Sequence, residues 1–156
     1  MLNVNQLREL IIKPALTDLL MYSEDASELL VFTCAVESNG GTYLKQINGP
    51  ALGIYQMEPA TYNDIWQNYL KHKSNLMLIM MNNFDIIRMP DEKRLVHDLR
   101  YATAMARIHY ARVKEPLPSH DDTKAVYEYY KKYYNTNSGK ANLDGCYAKY
   151  RKFTCF

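Results

Sequence analysis

CAVESNGGTYLKQINGPALGIYQMEPAT, residues 34–61, is where the chain changes character. Glu37 closes an apolar run with helical spacing and Gly40-Gly41 ends it. Asn48-Gly49 and Gly53 then permit a turn and a close backbone approach just ahead of Tyr55-Gln56. An acidic side chain is thereby carried on a packed helix up to a glycine-rich turn.

Upstream, Asp25 with Glu28 three residues later reads as a capping-box-like start, and Leu29, Leu30, Thr33, Cys34 and Glu37 fall on one stripe. Before it, Leu7, Leu10, Ile11, Leu16, Leu19 and Leu20 mark a helix over 5–22 that Pro14 should kink or split. From Thr42 to Met57 short glycine-punctuated pieces predict an irregular hairpin or small sheet, the one strand candidate. Pro59 should open a helix running to about Lys71, and Leu76 to Phe84 a short Met-rich one. Pro90 with Asp91-Glu92 predicts a long helix over about 91–113, and Ser119 with Asp122 caps a tyrosine-rich helix ending near Asn135. Asn137, Ser138 and Gly139 read as a loop.

With 156 residues and 47% hydrophobic content, the chain fits one domain, 1–156, with a core large enough to fold unaided. A formal charge of +2 gives no case for a nucleic-acid binder. From Lys124 onward the balance is +5, leaving −3 elsewhere, which reads as a solvated basic face or as attraction to an anionic cell wall. The start, MLNVNQLREL, lacks the pattern of a secretory signal, and no apolar run approaches the roughly 20 residues that span a bilayer. A soluble chain with no stable membrane insertion is expected. Cys34, Cys146 and Cys155 lack paired zinc spacing, and His72, His97, His109 and His120 show no metal motif, so neither a metal nor a cofactor is expected. Cys146 and Cys155 could close a small loop in an oxidising setting. The four histidines read as surface or packing residues.

Breaking a glycosidic bond requires a proton at the leaving oxygen. A carboxyl delivers it near neutral pH only when its pKa is lifted well above about 4.3, and burial does this. A Glu on an apolar helix face beside a cleft meets that need; a Glu merely solvated at a helix end is the alternative.

Glu37-Ser38, followed by Gly53-Ile54-Tyr55-Gln56-Met57 with Pro59 and Thr61, resembles the Glu-Ser and Gly-Leu-Met-Gln-x-x-Pro-x-Thr pattern of lytic transglycosylases and goose-type lysozymes. Gln56 lies 19 residues after Glu37, as in that family, and 133–141 (YYNTNSGKA) is similar to its Ala-Tyr-Asn-Ala-Gly motif. The resemblance implies a mainly α fold of the α+β lysozyme-like kind, a helical domain with a small β-hairpin beside the active-site cleft. It makes Glu37 the general acid and then base. Tyr55 and Gln56 would line the cleft, Ser38 would support the loop after the acid and contribute to substrate binding, and Tyr134 and Asn135 would match the Tyr-Asn pair, with the Tyr134 hydroxyl on the acid or the substrate acetamido group.

Two departures bear on mechanism. Ala51 stands where chicken-type lysozymes carry a second carboxylate, and no Asp or Glu lies between Glu37 and Gln56. Glu58 occupies the place two after the Gln where goose-type lysozymes have an Asp; it reads either as a hydrolytic base or as a favourable charge at the start of the next helix. The expectation is therefore a peptidoglycan-degrading glycosidase acting on the MurNAc-GlcNAc β-1,4 bond with a single Glu. The alternatives are a muramidase using Glu58 to position water, or a non-catalytic glycan-binding or virion structural module. The partner is the peptidoglycan glycan strand, the protein a monomer, and the setting that of a bacteriophage endolysin or virion component made in the host cytoplasm.

Overall fold

The computed structural model of the chain describes residues 1–135 and 142–155, and it is mainly helical. The first helical stretch begins as α1, Val4–Gln6, with Asn3 accepting from the Gln6 amide, widens to π-helical Leu7–Ile12, and continues as α2, Lys13–Asp18. The split expected from Pro14 takes this form: the widened turn ends where Lys13 N–H reaches back to the Arg8 carbonyl, just before the residue that has no N–H to give.

Helix α3, Glu24–Ser38, is the centre of the molecule. Nearly every residue from Ala26 to Val36 is buried, because α3 packs against the π-helical stretch, α7 (Leu99–Ala111), α8 (Thr123–Tyr133) and α9 (Leu143–Thr154). A helix covered on all sides can be apolar on all sides. Its start corrects the capping box expected at Asp25: Ser23 is the N-cap, accepting from the Ala26 amide at 3.0 Å. Asp25 instead accepts from His120, and Glu28 is held by Arg8 and Tyr150. The far end closes at Asn39, in the left-handed conformation at φ 53°, and Gly40 N–H returns to the Cys34 carbonyl at 3.1 Å. Gly40 has φ 64°, and a Cβ there would lie 2.5 Å from Cδ2 of Phe153, so α9 lies directly on this turn.

Pro59 opens α4, Pro59–Asn68, as expected; a 3-10 turn, Leu70–His72, and α5, Ser74–Asn83, follow. The single helix expected over 91–113 is two. α6, Arg94–His97, stops at Asp98, whose carboxylate accepts from the Tyr101 amide at 2.9 Å and starts α7 afresh. Asp122 caps α8 in the same way through Ala125 N–H, and Asn142 caps α9 through Gly145 N–H.

The hairpin expected over 42–57 is not formed as a ladder. Two isolated antiparallel bridges, Lys45 with Leu52 and Leu52 with Met57, are the pairings the segment makes. It is anchored instead from below, where Gly53, at φ 74°, leaves no room for a Cβ against the Leu95 carbonyl oxygen. The buried apolar side chains form one continuous cluster from Val4 to Phe153. Among the described residues no helix is long and apolar enough to cross a membrane, and Cys34, Cys146 and Cys155 are free thiols. The loop expected at Asn137, Ser138 and Gly139, with the last residues of the third motif, lies outside the described residues.

Candidate active site

The last turn of α3, the 42–57 segment, the start of α4, the end of α7 and the end of α8 surround a cleft of about 490 Å³. Its walls carry two carboxylates, Glu37 and Glu58, and three amides, Gln46, Gln56 and Asn135, with Thr61, Met57, Ala51, His109 and Tyr134 between them. Such a lining suits a polar ligand rich in hydroxyl and amide groups.

Glu37 sits in the last turn of α3, where the helix's own carbonyl ends disfavour a negative charge. Burial pushes its carboxyl above the usual range; hydrogen bonds from Tyr130 and Asn135 and the charges of Lys149 and Lys131 pull part of the way back. The Tyr130 hydroxyl donates to Oε1 at 2.5 Å and the Asn135 amide reaches the same oxygen at 3.4 Å. No described residue donates to Oε2 of Glu37, a residue that lines the cleft. One oxygen is thus pinned, and among the described residues the other is left available to carry a proton.

The structure brings Glu37, Gln56, Glu58, Tyr134 and Asn135 together around one cleft. Gln56 is held at φ 46° by its side chain, which donates to the Gly53 carbonyl at 2.7 Å and the Tyr43 carbonyl at 3.2 Å. Glu58 is the N-cap residue of α4, yet its side chain bonds none of that helix's amides and remains exposed on the cleft wall.

Three sequence expectations are corrected. Tyr55 does not line the cleft: its ring is in the core and its hydroxyl meets Thr103 Oγ1 at 3.1 Å, because the turn at Gly53 directs this side chain inward against α7. Ser38 is fully buried and does not face a substrate; its hydroxyl donates to the Cys34 carbonyl and accepts from Gly41 N–H at 2.9 Å, so it ties the turn after Glu37. The Tyr134 hydroxyl donates to the Tyr55 carbonyl at 2.8 Å, not to the acid. Tyr130, one helical turn earlier, takes that role. The sequence marked Tyr130 only as one of a tyrosine stripe, and nothing in it singled out Gln46 or His109.

His109 projects from α7 with burial and Arg112 pushing it down to about 4, so its imidazole is neutral over most of the pH range. No protein-family model, curated protein or solved structure matches this chain.

Proposed function

We propose that this chain is a peptidoglycan-degrading glycosidase of lysozyme-like architecture that cleaves the MurNAc-GlcNAc β-1,4 bond with Glu37 as its single acid and base, in the manner of a lytic transglycosylase. The observation that carries the reading is a desolvated carboxyl, with one oxygen fixed by Tyr130, at the wall of a cleft lined by amides. In this mechanism Glu37 gives its proton to the glycosidic oxygen as the bond to C1 breaks, and the substrate's N-acetyl oxygen shields the developing oxocarbenium centre. The 6-hydroxyl then attacks C1 and returns its proton to Glu37, leaving a 1,6-anhydromuramoyl end. No water is consumed and the carboxyl ends as it began. Gln46, Gln56 and Asn135 would hold the sugar's hydroxyl and acetamido groups.

A second reading, hydrolysis, is favoured by one observation: Glu58 shares the cleft with its carboxylate unused by the helix it precedes. There Glu58 would orient a water onto C1 and the product would have a reducing end. Mass spectrometry of muropeptides released from purified sacculi separates the two, since anhydro and reducing ends differ by one water. Glu37→Gln, which keeps an acceptor for Tyr130, should fold normally and release nothing. Full activity in that variant, or sacculus binding without soluble product in the wild type, sinks the enzymatic reading. The second outcome favours a glycan-binding or virion structural module. A bacteriophage role, acting on the wall as a monomer, is part of the same proposal.

A further inference from the structure

We infer that His109 is a positioning residue of this cleft: tied at Nδ1 to Arg112 and meeting the Tyr134 ring edge to face, it holds the Tyr134-Asn135 turn against Glu37. The tautomer follows from chemistry alone. Arg112 Nη2 lies 2.5 Å from Nδ1, and a guanidinium can only donate, so Nδ1 accepts and the ring proton is on Nε2. Tyr133 is the last residue of α8, and the His109 ring packs from α7 against the turn that follows it.

The consequences converge on the acid. The two residues after Tyr133 both turn back their amides to the Tyr130 carbonyl, at 2.9 Å from Tyr134 and 3.1 Å from Asn135. The His109 ring meets the Tyr134 ring edge to face, 5.0 Å between centroids at 85°. Asn135 is thereby delivered to Glu37 Oε1. Behind His109, Arg112 is anchored by Asp64 at 2.6 Å, and Asp64 accepts from Asn68 at 2.7 Å, so the strap runs from α4 through α7 to the end of α8. The charged groups facing His109 are Arg112 and, beyond it, Asp64. Its neutral form is the one that accepts from Arg112, and burial together with that cation preserves it down to about pH 4.

The kinetic consequence rests on the glycosidase reading; the structural one does not. The test compares His109→Leu, which removes both the tie to Arg112 and the ring contact, with His109→Phe, which keeps a ring edge against Tyr134, after melting curves confirm that both fold. With labelled Glu the Glu37 carboxyl is titrated by NMR. His109→Leu should move its midpoint upward, because the Asn135 bond that favours the carboxylate is loosened, while His109→Phe leaves it in place. On sacculi, kcat should fall about tenfold in the Leu variant with little change in KM, and recover in the Phe variant. An unmoved Glu37 midpoint in His109→Leu, or equal effects in the two variants, overturns the inference. Wild type without turnover overturns the glycosidase reading instead, and the carboxyl titration then decides on His109 alone.

Discussion

A carboxyl that is to donate a proton near neutral pH must resist ionising without losing its place, and at Glu37 separate groups serve the two needs. Burial and the carbonyl end of α3 favour the acid form; Tyr130 fixes one oxygen and in doing so favours the carboxylate. Tyr130→Phe removes that donor. In the proposed mechanism the protonated form acts at the first step, so the falling limb of the kcat/KM profile should move to higher pH, measurable by soluble muropeptide release across a buffer series. A limb that stays or moves to lower pH contradicts the assignment of Tyr130. At this scale the inward placement of Glu37 was legible in the sequence, because an apolar stripe at helical spacing turns it toward the core. Tyr130 was not. Which tyrosine of α8 meets Glu37 depends on how that helix is rotated against α3, and the ring contact of Tyr130 with Phe32, 5.5 Å between centroids, fixes a rotation that no local spacing encodes.

The 42–57 segment shows how an element can be specified by what lies under it. Short glycine-punctuated pieces and Asn48-Gly49 predicted a hairpin, but Gly53 presses against the Leu95 carbonyl and the Gly53–Gln56 turn interrupts any ladder, leaving two isolated bridges. That approach depends on α6 ending at Asp98, a break the sequence showed only as one acidic residue inside a helix-spaced run. Helices α3, α4 and α8 were readable because their apolar faces are local; the loop was not, because its anchor is 42 residues away in the chain at Leu95. Gly53→Ala should therefore be severe: it adds a Cβ at φ 74° where backbone already stands, and a loss of about 2–4 kcal/mol in a urea melt is expected. A loss under about 0.5 kcal/mol would mean that the segment is not anchored at Leu95.

Across the whole molecule, the chain has 14 tyrosines, and burial holds the phenols of Tyr55, Tyr101, Tyr110, Tyr130 and Tyr134 far above their ordinary range. In the unfolded chain they ionise near pH 10. The stability they confer is thus complete below about pH 10 and lost as pH rises through the interval up to their folded values, at about 1.4 kcal/mol per phenol per pH unit, or about 7 for the five. Against a typical domain stability of about 5–15 kcal/mol, unfolding should occur within roughly two pH units above 10. Tyrosinate absorbance and far-UV circular dichroism should then change together. Phenols that ionise in full while the helices persist would contradict the packing described. The same packing orders events in time. α9 closes the acid-bearing turn, with Phe153 under Gly40 and Lys149 Nζ on the Val36 carbonyl at 2.8 Å, and it is made after every other element described. A ribosome-bound chain that has not yet emitted α9 leaves one face of α3 bare, so the helix that carries Glu37 is covered on every side only once translation has passed α9.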